Sequence, residues 1–267
     1  MDEIFDNATT AKIDAKLHKD VLEHEDKIEK IIIIVFIILV YIFKGWIGYW
    51  LKFGIAIPSE YTMTPIDVQN DPIQTNYTKE ETEEKTFTYI SLLNKHNITI
   101  KPQAHYVLSG SVAAKNYGFF FINDFFDSAA LYDLGATWGK LADKKFYNKY
   151  LNCYSDKVYG TGSRVLYTEY KIYPAPLPHE YIQSHFSHSH IVPANRNIMA
   201  AMLKLKNWDK VKIEGELVDM EYKNSKGYTE QYQTSLTRTD TNQTSRGYGA
   251  SETIYVTSVQ IGRKIYK

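Results

Sequence analysis

Apolar positions fall along this chain in two regimes. Ile31 to Phe43 is an unbroken run, Ile-Ile-Ile-Ile-Val-Phe-Ile-Ile-Leu-Val-Tyr-Ile-Phe, followed by one charge at Lys44 and more apolar sequence to Leu51. At about 1.5 Å per residue, a helix over this stretch is roughly 30 Å long, the thickness of a hydrocarbon core. The run predicts a membrane anchor over residues 31–57, with Trp46, Tyr49 and Trp50 as amphipathic rings at headgroup level. Nothing later in the chain approaches it. Beyond Thr86 apolar residues instead alternate with polar ones, which is the period of half-buried strands.

The anchor is distinct from a cleaved leader. A secretory signal has a short basic start and a small-residue cleavage site. The residues before this run carry Asp2, Glu3, Asp6, Asp14, Asp20, Glu23, Glu25, Asp26 and Glu29. Lys16, Lys19, Lys27 and Lys30 precede the run, whereas Lys52 stands almost alone after Lys44. Cations are retained on the cytoplasmic side, so the N-terminus is expected inside and the bulk of the chain outside.

Four regions follow. Residues 1–30 read as a cytoplasmic amphipathic helix, with Ile13, Leu17, Val21 and Ile28 on one stripe. Residues 31–57 form the anchor. Residues 58–85 read as a flexible tether, polar and marked by Pro65, Pro72 and the acidic cluster Glu80, Glu81, Glu83 and Glu84. Residues 86–267 form an extracytoplasmic β-rich domain. Its clearest strands are His105–Ala113, Tyr117–Ile122, Val165–Tyr173, Val211–Met220 and Thr253–Ile261. Gly110 and Gly215 take inward slots within two of them, the mark of a bulge or tight bend. One helix is expected between Ser128 and Leu151, and another from Asn195 to Lys206 with Asn195 as N-cap. The expected fold class is α+β: an N-terminal transmembrane helix, then a partly closed antiparallel sheet or barrel, OB-like, with two or so helices.

Composition narrows the function classes. Thirty-one cations balance thirty-one anions, and no basic stretch appears, so no surface is expected to gather nucleic acid. The single cysteine, Cys153, excludes an internal disulfide and reads as a small buried apolar residue. Stability must therefore come from burial.

Ser184-His185-Phe186-Ser187-His188-Ser189-His190 is the sharpest local chemistry, with His179 just before it. Closely spaced imidazoles suit zinc or another divalent metal; the alternative is a hydrogen-bonded loop leading into the Asn195 helix. In an extended stretch His188 and His190 share a face while His185 points away. His-Glu-x-x-His is absent, as are Gly-x-Ser-x-Gly and the phosphate-loop and dinucleotide fingerprints. Thr234-Ser235-Leu236-Thr237-Arg238-Thr239-Asp240-Thr241 offers hydroxyls, Arg238 and Asp240 for a polar pocket, or else a hydrogen-bonded turn. Trp138, between glycines, is either a buried anchor or an exposed stacking platform.

Leu108-Ser109-Gly110, Asp133-Leu134-Gly135 with Trp138-Gly139, His185 with His190-Ile191-Val192-Pro193-Ala194, and Ser235 to Thr241 occur together in this order. In these strings, over roughly residues 105 to 260, the chain resembles a family of uncharacterised bacterial single-pass membrane proteins. The resemblance implies a bacterial origin and an anchor, and no established activity. Such relatives carry a cysteine near the position of Ala250 or Ser251, which this chain lacks. His188 falls outside the shared pattern, leaving His185 and His190.

The sequence thus leads to two expectations. The first is a non-enzymatic, membrane-anchored binding or assembly component of a bacterial envelope complex, in the cytoplasmic membrane with its C-terminal domain outside. Its partners would be the membrane and a protein, or a second copy, engaged through residues 9–30 and the apolar helix. The alternative is a metal-dependent hydrolase with His185 and His190 as ligands of a divalent metal. The candidate cleft is formed by Trp138, His185, His190, Arg238 and Asp240.

Overall fold

The structure is a computed structural model, and it describes residues 24, 27–36, 52–93, 95–116, 125–157, 164–237 and 251–267. The chain divides into two units, Met1–Leu51 and Lys52–Lys267. In the first unit residues 27–36 are helical, and Ile31 to Phe36 are each about half exposed or more.

The second unit is organised by two long strands. β1 is Glu60–Tyr61, β2 Ile73–Asn76, β3 Phe87–Ile90, β4 Asn97–Asn116, β5 Tyr132–Thr137, β6 Leu151–Lys157 and β7 Arg164–Tyr170. They are followed by β8 Phe186–Pro193, β9 Lys210–Lys223, β10 Thr229–Tyr232, β11 Ser251–Ile261 and β12 Lys264–Tyr266. β4 and β9 pair antiparallel over twelve register positions from Thr99↔Glu221 to Ser111↔Lys210. On the face reached through Tyr106, Leu108, Ile213 and Leu217 every side chain is buried. Alternation of this kind is what the sequence pattern encodes, since a strand's side chains point to opposite faces in turn.

Among the described residues ten strands form one sheet, and β6 and β7 form a separate two-stranded one. Among the described residues all pairings are antiparallel except β8 with β11. β11 is bonded to both β8 and β9, so β4, β5, β8, β11 and β9 follow one another around a closed circuit. Curvature comes from register shifts in β4 between Pro102 and Ala104 and between Val112 and Ala114, and in β11 between Val256 and Ser258.

Among the described residues of this unit are five short α-helices: α1 Lys79–Lys85, α2 Phe125–Ala129, α3 Lys144–Tyr150, α4 His179–Ser184 and α5 Arg196–Lys204. α5 begins where Asn195 Oδ1 accepts from Ile198 N at 3.0 Å, and it buries Ile198, Met199, Ala201 and Met202. α1 opens on a capping box between Thr78 and Glu81 and buries no side chain.

The expected fold is corrected in two respects. In place of a membrane-spanning helix leading into a partly closed, OB-like antiparallel sheet or barrel with two or so helices, the described residues form a mixed α/β structure. Its sheet is larger, because β1, β2, β3, β10 and β12 extend it past the closed circuit. Among the described residues no helix is long and apolar enough to cross a membrane. Residues 37–51 of the expected anchor lie outside the described residues. Its last residues belong with the domain: Phe53 and Ala56 are buried, and Asn197 bonds both the N–H and the C=O of Ile57, at 2.8 and 2.9 Å.

The stretch 58–85, read from sequence as a tether, supplies β1, β2 and α1. β1 pairs with β12, and β2 pairs with β4. The expected strand Tyr117–Ile122 lies outside the described residues.

Candidate functional site

β5 and β8 lie side by side in the closed circuit, and their register puts Asp133 opposite His190 and Gly135 opposite His188. Two residues apart on one strand, His188 and His190 share a face, and the cross-strand neighbour brings the carboxylate to the same face. His190 Nδ1 stands 2.8 Å from Asp133 Oδ1, and the two imidazole rings are 4.4 Å apart at 64°. Each of the three residues offers one ligand atom, and these atoms lie within 4.8 Å of one another. All three are buried: Asp133 is 0%, His190 4% and His188 5% exposed.

Aromatic rings close over this cluster. Phe126 of α2 meets His190 edge-on at 4.9 Å and Tyr232 of β10 at 4.0 Å, and Tyr232 lies 5.9 Å from His190. Burial pushes the Tyr232 hydroxyl up to about 12, helped by the charge of Asp133 and opposed by hydrogen bonds with the Ser251 and Thr253 side chains. Tyr232 is therefore a neutral phenol at physiological pH. Ser251 Oγ lies 3.4 Å from His188 Nδ1.

The intervening serines face the other way. Ser187 Oγ donates to Glu252 Oε2 at 2.8 Å and lies 2.5 Å from Ser189 Oγ. A Ser-His-Ser-His strand thus builds two polar clusters back to back, because β11 runs parallel to β8 and sets Ser251 beside His188 and Glu252 beside Ser189.

Of the residues chosen from sequence, His190 lies in this cluster with His188 and Asp133. His185 lies elsewhere, its ring stacked on Tyr181 at 3.7 Å and 11°, with Nδ1 at 2.9 Å from the Tyr181 carbonyl oxygen. Trp138 joins it, 6.0 Å from the His185 ring; it is 1% exposed, and its indole Nε1 donates to Asp71 Oδ1 at 2.8 Å. Gly139 completes this stack. Its φ is +59°, and a Cβ there would stand 2.6 Å from the Tyr181 hydroxyl and 2.8 Å from His185 Cδ2. Arg238 and Asp240 lie outside the described residues. The start of their string is placed: Thr234 is buried and its Oγ1 accepts from Thr253 N at 2.9 Å, while Ser235 N donates to Ser251 O.

Sequence reading missed Asp133, Tyr232, Ser251 and Glu252. Asp133 sits in Tyr132-Asp133-Leu134-Gly135-Ala136-Thr137, where every residue is buried. A carboxylate within such a stretch is the available signal, since buried charge requires a partner. Comparison with protein-family models and with curated proteins finds no match.

Proposed function

We propose that this chain is a non-enzymatic binding component whose folded domain engages a protein partner through its exposed apolar surface. One observation carries the reading: among the described residues, the two polar clusters on β8 are buried away from a substrate. Asp133, His188 and His190 are at most 5% exposed, as are Ser187, Ser189 and Glu252 behind them. By contrast Ile55, Ile57, Tyr61 and Met63 stand 66 to 76% exposed within nine residues of chain, a density of apolar surface that suits docking.

The apolar run from Ile31 and the lysines before it support a position at a bacterial cytoplasmic membrane with the domain on the outer side. The competing reading, a metal-dependent hydrolase, draws on the paired imidazoles and is opposed by their burial.

Affinity purification of the full chain in mild detergent tests the binding reading. A defined partner, or a second copy, is expected in stoichiometric amount and weakened by Ile57→Asp with Met63→Asp. Recovery of this chain alone as a monomer overturns it.

A further inference from the structure

We propose that Asp133, His188 and His190 hold one divalent transition metal, of the zinc class, as a structural centre inside the domain. The inference goes beyond the binding reading and does not depend on it.

Geometry comes first. Three potential ligands from two paired strands converge on one face, with their ligand atoms within 4.8 Å. Around a tetrahedral ion with bonds of about 2.0–2.1 Å, ligand atoms are roughly 3.4 Å apart. The observed bound of 4.8 Å exceeds that spacing by about 1.4 Å, which rotation of the side chains would have to close. Because His188 and His190 are alternate residues of one strand and Asp133 is the register partner of His190, the backbone itself fixes which three side chains meet.

The chemistry of the set selects the ion. Two imidazole nitrogens and one carboxylate oxygen suit zinc, cobalt or nickel, whereas calcium and magnesium favour all-oxygen sets. The surroundings argue the same way. His190 packs edge-on against Phe126, which belongs to an apolar cluster with Ala129, Ala130 and Val192. A dication here would bind the carboxylate and both imidazoles at once.

The position explains a structural role. β5 and β8 carry the ligands, and the neighbouring Ser251 opens β11, which closes the sheet onto β9. An ion here would add a cross-link between β5 and β8, with a trapped water in the fourth position that three protein ligands leave open. With the ligands at most 5% exposed, it is shielded from bulk water.

The test uses the purified full chain in detergent, stripped with chelator and dialysed against zinc or cobalt. One metal per chain by elemental analysis is expected. Cobalt should give visible absorption of a low-coordinate site, and zinc should raise the melting temperature. His188→Asn with His190→Gln should lose the bound metal and the zinc-dependent shift, whereas His185→Asn should keep both. Should the double variant fail to fold, Asp133→Asn alone is read for the same loss. Absence of stoichiometric metal in the wild-type chain overturns the proposal, as does retention of one equivalent in the folded double variant. Because partner capture is read separately, a wild-type chain that binds no metal but still recovers its partner removes this centre and leaves the binding reading standing.

Discussion

Gly215 on β9 lies against the main chain of Tyr255 on β11, so closely that a Cβ at this position would collide with the Tyr255 carbonyl oxygen and stand 2.9 Å from its carbonyl carbon. The register between these strands shifts just beyond, between Val256 and Ser258, so Thr257 is the extra residue of a bulge. The glycine lets two strands approach where the sheet closes on itself. Gly215→Ala must push β9 and β11 apart, and overpacking of this kind costs about 1–3 kcal/mol. Urea unfolding of the full chain should show a lower midpoint with an unchanged slope. An unaltered midpoint would mean that the contact relaxes freely.

The indole of Trp138 donates to Asp71 across 67 residues of sequence, and this bond fastens the stretch before α1 to the domain. Removing the carboxylate leaves a donor buried without its partner, at a cost of about 1–3 kcal/mol. Asp71→Ala and Trp138→Phe should each destabilise the domain, and the double variant should cost less than their sum. Additive effects in that cycle would show that the two side chains do not interact.

What the sequence made legible follows the strength of its periodic signals. β9 was readable because Val211, Ile213, Leu217 and their polar neighbours alternate cleanly, and the bulge beside Gly215 because glycine occupies an inward slot. The Asn195 cap and the apolar face after it announced α5. β5 was hidden, since both its faces are buried and Tyr132–Thr137 shows no alternation; it fell within the stretch expected to hold a helix. β1, β2 and α1 were hidden for the opposite reason, being mostly exposed and polar, so that only their pairing or capping reveals them. The histidine pair was visible as spacing along one strand. Its carboxylate was not, because Asp133 reaches His190 through strand register across 57 residues.

Cys153 is expected to be inert. Burial raises its thiol from 9.0 to about 11, with the hydrogen bond to Tyr147 opposing the shift. At pH 8 about one molecule in a thousand carries the reactive thiolate, against about one in ten for an unperturbed group. Labelling by a disulfide reagent should therefore be about 100-fold slower in the folded chain than in urea. The raised value also has a sign for stability: the contribution of the neutral thiol is complete below pH 9 and is lost as pH rises towards 11. Cys153 is half-buried, and rapid labelling at pH 8 under native conditions would contradict its raised thiol.

Lys101 of β4 reaches diagonally to Glu221 of β9 at 2.6 Å, and Gln231 of β10 donates to the same carboxylate at 3.1 Å. The hydrogen bond from Lys101 holds the Glu221 carboxyl below its usual value. A carboxylate whose folded value is depressed contributes stability above its unfolded value, near 4.5, and loses that contribution as pH falls through the lower folded value. The pair is about one-third exposed, so water and salt screen it, and the contribution is expected to be under about 0.5 kcal/mol. Lys101→Ala should lower stability by that small amount at pH 7 in low salt. The difference from wild type should shrink in 0.5 M salt and vanish once Glu221 is protonated in both proteins. A difference that survives both treatments would assign the effect to lost packing of the Lys101 stem instead of its charge.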